Sequence, residues 1–323
     1  MKAIVVREFG EPHVMKLEDV PTPQPTGSQV LVRIEAAGVN PVDTYLRSGK
    51  HAHAPTLPYT PGKDGSGVVE RVGDEVTKFA SGDRVYTADS ISGTYADLAL
   101  CDESQLGHLP NNVDYPAGAG VWTPYATAYR ALFEKADAKS GETVFVHGAS
   151  GGVGIAAIQW AKSAGLKVIG SAGSDSGKQL ILEQGADLAT DHLSAGETDA
   201  NEKIMDATGG KGVDIIVEML ANVNLQLDFG VLKMFGRIAV VGNRGSLEFD
   251  PRAVMSKDAT IYGLSLFNAS QVVRDAIHTS IFAGLTNGSL KPVIGSTLTL
   301  ADAPHAHRDI MENNGAGKIV LIP

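Results

Sequence analysis

The 323-residue sequence predicts an α/β protein in which a β-rich unit is interrupted by a doubly wound parallel sheet. Three observations carry this reading. The first hundred or so residues hold short Val, Ile and Leu runs broken by charge and by Gly-Asp and Ser-Gly turns. From about residue 124, apolar strands alternate with helical segments, the pattern of a parallel sheet covered on both faces. The stretch after residue 266 is too short to form a domain alone, so it is expected to return and complete the first unit. At roughly 150 residues per domain the length suits about two domains. We assign residues 1–123 and 267–323 to one domain and 124–266 to the other.

Residues 1–9 and 29–39 read as strands, and the segment 20–27 between them carries three prolines. Asn40 is placed to cap a helix over 41–48, with Pro41 at its first position. Further strands are expected at 67–72, 83–87 and 95–100. A helix over 124–136 opens the second unit. Its strands are expected at 143–146, 167–171, 188–189, 214–217, 237–241 and 260–264, with helices at 155–164, 178–184 and 224–234. Helices over 271–285 and 303–313 and strands at 297–300 and 318–322 finish the chain.

Composition narrows the function classes. Hydrophobic residues at 43% and charged residues at 20% suit a folded globular chain. A net charge of −10 opposes attraction to nucleic-acid phosphates and anionic membranes. One cysteine makes no intramolecular disulfide and no thiolate zinc site. The N-terminal apolar run is too short for a signal peptide and meets Arg7, and no stretch approaches the ~20 apolar residues of a membrane span. A soluble, cytoplasmic protein is expected.

The strongest local signal is VFVHGASGGVG at residues 144–154: strand, glycine-rich turn, then helix. This is the order a dinucleotide-binding unit needs. Gly151 lets the backbone approach a pyrophosphate, Gly154 lets the helix pack closely on the sheet, and the helix N-terminus offers free N–H groups. Ala149 stands where the strict G-x-G-x-x-G pattern has its first glycine. An NAD site places an acid at the tip of the second strand, whereas here that tip reads Ser171-Ala172-Gly173-Ser174. Lys178 follows, able to offset a 2′-phosphate, so NADPH is the expected cofactor. Asp175 is the rival feature, suited to a ribose, and Lys178 on a solvated helix face is the plain alternative.

The segments GVNPVDTYLRSG, PGKDGSGVVERVGD, KSGETVFVHGASGGVG and LKPVIGS together resemble the medium-chain dehydrogenase/reductase superfamily. VEMLANVN at 217–224 and VVGNRG at 240–245 sharpen the resemblance to its zeta-crystallin type of NADPH:quinone oxidoreductase. It implies a GroES-like β-rich domain and a Rossmann domain, with NADPH lying in the cleft between them. Zinc alcohol dehydrogenases of the superfamily place metal ligands where this sequence reads Asn40-Pro41-Val42-Asp43 and Gly62-Lys63-Asp64, so no metal is expected. Quinones and conjugated enones, whose reduced forms delocalise charge, suit such a site.

The resemblance implies Asn40 and Tyr45 beside the nicotinamide, orienting rather than exchanging protons, since tyrosine's reference pKa near 10 suits a base poorly. It implies Ser150, Gly151, Gly152 and Val153 along the pyrophosphate, and Gly173, Lys178 and His192 around the adenosine phosphate. Asn224, Val241, Gly242, Asn243, Arg244, Leu264, Ser265 and Leu266 would line the rest of the groove, all following the fourth, fifth and sixth strands. Open α/β sheets bind ligands at those carboxyl ends. The implied reaction is quinone reduction, with ortho-quinones and single-electron steps to the semiquinone as its finer form. An alkenal or enone reductase is the alternative enzyme, and an NADPH-binding structural or RNA-binding protein is the alternative of another class.

Plainer roles compete at several residues. Asn40 is also a good helix cap, and Tyr45 and Tyr59 suit a core or an interface. His51 and His53 read as loop residues, and His305 and His307, two apart on a helix, point different ways. His147 reads as a strand-end packing residue. Asp102 and Glu103 are expected to raise the Cys101 pKa. The apolar edge at 260–266 is expected to pair across a two-fold axis in a homodimer or homotetramer.

Overall fold

The structure, a computed structural model, describes residues 1–194, 196, 198–312 and 316–323. The chain divides into two compact units, Met1–Thr123 with His278–Pro323, and Pro124–Ile277. The return junction therefore falls inside a helix, later than the 266/267 boundary read from the sequence.

In chain order, the first unit begins with β1 (Lys2–Val6), β2 (Met15–Asp19), β3 (Gln29–Val39), α1 (Pro41–Arg47) and β4 (Asp64–Val72). It continues through β5 (Arg84–Ala88), β6 (Leu98–Asp102), β7 (Leu106–His108) and α2 (Tyr115–Ala119). Helix α3 (Trp122–Tyr129), extended by a π-helical turn over Arg130–Lys135, leads onward. The second unit holds β8 (Thr143–Val146), α4 (Gly152–Ser163), β9 (Lys167–Ser171), α5 (Asp175–Glu183), β10 (Leu188–Thr190) and α6 (Asp199–Ala207). After these come β11 (Val213–Glu218), α7 (Ala221–Asp228), β12 (Leu232–Val240), α8 (Arg252–Met255) and β13 (Thr260–Gly263). Helix α9 (Gln271–Asn287), β14 (Ile294–Thr299), α10 (Ala303–Glu312) and β15 (Lys318–Ile322) complete the chain. The last residue expected in α10, Asn313, lies outside the described residues.

The second unit's strands pair in parallel in the order β10-β9-β8-β11-β12-β13. Counted along the chain that is 3-2-1-4-5-6, the doubly wound order, whose reversal point lies between the first and fourth strands. Its core joins Phe145, Ile169, Ile204, Ile216, Leu225 and Ile238. In the first unit, β1 and β2 form an antiparallel ribbon, and a larger sheet runs β14-β15-β3-β4-β5-β7 with β6 also on β3. Antiparallel β15–β3 and β3–β4 pairings set Ile319 opposite Val39 and Asp64 opposite Gly38, which brings the starts of β15 and β4 beside the end of β3.

Two element assignments change. The helix expected over 224–234 ends at Asp228, and residues 232–234 belong to β12. Gly230 breaks the helix, and Leu232, paired with Val213 on β11, joins the sheet instead. Helix α4 starts at Gly152, inside the glycine loop, three residues before the helical period becomes apolar. The short elements β2, β7, α2, α6 and α8 were not anticipated. Among the described residues no helix is long and apolar enough to cross a membrane.

Candidate functional site

The glycine loop joins β8 to α4 at the reversal point of the second sheet. Gly151 is the N-cap of α4, at φ −81° and ψ 170°, and Ile155 N–H makes the first helical bond to its carbonyl. The N–H groups of 152–154 are thus left without helical acceptors, at the positive end of a twelve-residue helix. A Cβ at Gly154 would stand 2.5 Å from Ala149 Cα and 2.6 Å from Gly148 O. Gly154 therefore admits the loop's own backbone, a closer constraint than the helix-to-sheet contact expected. Gly242 does the same across the sheet, where a Cβ would meet Met219 O at 2.2 Å. A Cβ at Gly151 would meet only Gly148 O, at 3.4 Å, so the loop leaves room beside the N–H groups of 152–154, which fits a pyrophosphate.

At the ends of β9 and β10 the expected adenosine-side residues come together. Ser174 caps α5 through Gly177 N–H at 3.1 Å, following the exposed turn at Gly173. Lys178 Nζ lies 2.8 Å from Asp191 and 3.0 Å from Asp175. His192 Nδ1 is 3.0 Å from Ser171 Oγ, and burial lowers its pKa. Asp191 was missed, because it follows the third strand rather than the second. Both of the lysine's carboxylates are exposed, so solvent screens these pairs and leaves the ammonium exchangeable toward a phosphate.

The fourth strand ends on a residue the sequence reading passed over. Glu218 is fully buried, and its carboxyl accepts from Leu220 N–H and, at 3.1 Å, from Asn224 Nδ2. Its backbone carbonyl accepts from Val241 N–H at 2.8 Å and Gly242 N–H at 3.2 Å. One residue thus ties down Asn224, Val241 and Gly242. Asn243 Oδ1 accepts from Asn222 N–H at 3.0 Å, and Arg244 N–H donates to Asn222 Oδ1 at 2.9 Å. Leu264 N–H bonds Val240 O at 3.2 Å, and Ser265 O accepts from the Arg130 guanidinium. The apolar-run acid in VDIIVEML was the available signal for Glu218.

Behind Glu218, His147 Nε2 contacts Asp228 Oδ1 and Glu218 Oε2. These three groups are the metal-capable cluster among the described residues, but their atoms engage one another. Burial pushes both carboxyls up to about 7. Burial also lowers the His147 pKa, so its imidazole is neutral. His147 packs at the strand end as expected, its ring 4.5 Å from that of Phe145, and adds a polar tie.

In the first unit, Asn40 ends β3 and sits at the N-cap of α1, yet its side chain makes no cap bond. Asp43 closes that helix start instead, accepting from Asn40 N–H at 2.9 Å. The Asn40 carboxamide donates to Asp64 Oδ2 at 2.9 Å and accepts from the Lys318 ammonium. Thr123 Oγ1 holds Asp64 Oδ1 at 2.7 Å. Burial pushes Asp43 up to about 7, and Tyr95 OH links it, at 3.4 Å, to His307 Nε2 at 3.2 Å. His305 instead faces solvent beside Asp309, so the two histidines do diverge. Tyr45 lies half-buried on α1, and Lys63 pairs with Asp89 at 2.7 Å.

Residues 26–137 match the alcohol dehydrogenase GroES-like domain, and 152–280 match the zinc-binding dehydrogenase model. The human quinone oxidoreductase is 46% identical over 100% of this chain and 98% of its own length. The chain belongs to the quinone oxidoreductase family, within the medium-chain dehydrogenases/reductases. Two solved structures extend the likeness over the whole chain. A mycobacterial protein complexed with NADPH superposes with a TM-score of 0.91 at 30% identity, covering 100% of both chains. The Escherichia coli quinone oxidoreductase, also complexed with NADPH, superposes at 0.89 with 26% identity and the same coverage. The family's GroES-like and Rossmann-like domains correspond to the two units described above.

Proposed function

We propose that this protein is an NADPH-dependent quinone reductase that prefers ortho-quinone-type acceptors and reduces them in single-electron steps. The observation that carries the reading is full-length identity of 46% to a quinone oxidoreductase, joined to a glycine cradle with free N–H groups at the reversal point of a doubly wound sheet. NADPH supplies the reducing equivalents from its nicotinamide. The chain's residues bind and orient. Ser150 through Val153 take the pyrophosphate on the helix N-terminus. Lys178 exchanges a carboxylate for the 2′-phosphate, with Gly173 and His192 beside it. Asn224 and Val241 to Arg244, fixed by Glu218 and Asn222, and Leu264 to Leu266 hold the rest of the cofactor. Asn40 and Tyr45 orient the nicotinamide and the acceptor by hydrogen bonding. The first unit serves as the catalytic domain and the second as the cofactor domain.

We further propose a homodimer or homotetramer, supported by β13, the end strand of its sheet, whose free edge suits pairing with a second copy. A cytoplasmic location accompanies this reading. The test is oxidation of NADPH and NADH followed against a panel of ortho-quinones, para-quinones and enals, with product analysis. Turnover of quinones with NADPH preferred supports the reading. Reduction of enals with no quinone turnover overturns it.

A further inference from the structure

We propose that Lys318 is a positioning residue of the substrate-side site: by bridging Asn40 and Asp64, its buried ammonium fixes the Asn40 carboxamide in the one orientation that presents an N–H to the acceptor. The inference rests on the role given to Asn40 above, and it adds a residue that neither a glycine motif nor a cofactor contact points to.

The geometry is closed on every side. Lys318 Nζ donates to Asn40 Oδ1 and, at 3.2 Å, to Asp64 Oδ2. Asn40 Nδ2 donates to the same Asp64 oxygen at 2.9 Å. Asp64 Oδ1 is taken by Thr123 Oγ1 at 2.7 Å and Thr123 N–H at 3.2 Å. The Lys318, Asp64 and Asn40 side chains are all buried. An ammonium only donates and a carboxylate only accepts, so chemistry alone decides which end of the carboxamide faces which neighbour. Turning it over would set NH₂ against the ammonium and oxygen against the carboxylate. The second hydrogen on Asn40 Nδ2 has no acceptor among the described residues and is the one assigned to the substrate.

The lysine's path is also built. A Cβ at Gly38 would stand 2.9 Å from Lys318 Cε and 2.1 Å from Ala119 O, and one at Gly120 would stand 3.5 Å from Lys318 Cγ. Gly38 thus keeps a lane open for the aliphatic stem, and Gly120 borders it at ordinary contact distance. The antiparallel register of β15 on β3 delivers the residue there, with Ile319 opposite Val39. A buried ion pair is a weak source of stability, and an apolar side chain could fill the same lane without losing hydration. Here the ammonium both compensates the buried Asp64 carboxylate and orients the carboxamide.

The test compares wild type with K318M, N40A and K318M/N40A. We expect K318M to lose at least 10-fold in kcat with quinone while the Kd for NADPH stays within about two-fold. The double variant should be no slower than N40A. In K318A, ethylammonium or propylammonium should restore part of kcat, whereas propanol should not; this variant also serves if K318M does not fold. A kcat for K318M within two-fold of wild type, multiplicative losses in the double variant, or rescue by propanol equal to that by the amine would overturn the proposal. Absence of any wild-type quinone turnover would defeat the functional reading alone. A crystal structure of K318M then decides the local claim: a rotated Asn40 carboxamide supports it, and an unchanged one overturns it.

Discussion

Nε2 of His147 lies 2.7 Å from Oδ1 of Asp228, a contact between the end of β8 and the end of α7 made wholly inside the second unit. The neutral imidazole donates to the Asp228 carboxylate, and Glu218 Oε2 lies 3.3 Å from the same Nε2. The glycine-loop strand, the Asn224 helix and the fourth strand are thereby tied through three polar side chains in an apolar core. Removing one of them leaves its partners buried without a bond, a cost of about 1–3 kcal/mol per group.

Stability should register the Glu218 proton. A carboxyl raised to about 7 in the folded protein holds its proton there after the unfolded chain has released its own. Its contribution is therefore complete below the ordinary carboxylate range and is lost as pH rises toward 7. The E218Q variant keeps a donor toward Asp228 and an acceptor for Leu220 and Asn224, but cannot titrate. Urea unfolding at pH 5 and pH 8 should show wild type losing on the order of 2 kcal/mol relative to E218Q over that interval. Equal pH dependence of the two proteins would refute the raised Glu218 carboxyl.

Replacing Gly154 by alanine should cripple cofactor binding. The atoms its Cβ would strike, Ala149 Cα and Gly148 O, are backbone and cannot rotate away. Overpacking of this kind costs about 1–3 kcal/mol, here spent on displacing the phosphate loop. Fluorescence titration should show NADPH Kd rising about 10-fold or more.

Cofactor choice should turn on Lys178. Losing a charged hydrogen bond worth about 1.5–3 kcal/mol predicts that K178M weakens NADPH by about 10- to 150-fold and leaves NADH unchanged. Asp191 competes for the same ammonium, but an exposed pair is worth at most about 1 kcal/mol. D191N should therefore tighten NADPH by less than about 5-fold. An equal loss of both cofactors in K178M would show that the lysine does not read the 2′-phosphate.

Cys101 should be inert in the native protein. It is fully buried, and burial, followed by Asp89 and Asp102, pushes its thiol far above the ordinary range. Burial is thus the main cause, ahead of the neighbouring charges read from the sequence. A thiol reagent should label it only after denaturant is added, and rapid native labelling would contradict the buried placement.

The legible parts of this molecule were those with local signatures. The loop at 144–154, the βα alternation and the residues just beyond β11, β12 and β13 could all be read from short windows, because strand ends and glycine turns are local events. The hidden parts are polar groups whose meaning depends on distant partners. Glu218 looks like the polar end of an apolar strand until His147 and Asp228 are beside it. Lys318 looks like the solvated start of a final strand, since no periodicity window reaches from residue 318 to Asn40. The overextended helix at 224–234 failed for a related reason. Its last residues, in VLKMF, suit helix or strand equally, and pairing with β11 decides between them.

Asn40 and Lys318 are separated by 278 positions, which makes the substrate-side site a late event in the life of each chain. At about 5–20 residues per second, a ribosome needs roughly 15–55 s to reach Lys318 after Asn40 has emerged. Over that interval the ammonium that bridges Asn40 and Asp64 does not yet exist, so a nascent chain cannot hold this site in its finished form. Strand β15, made well after Asn40 and Asp64, is the one that arms it.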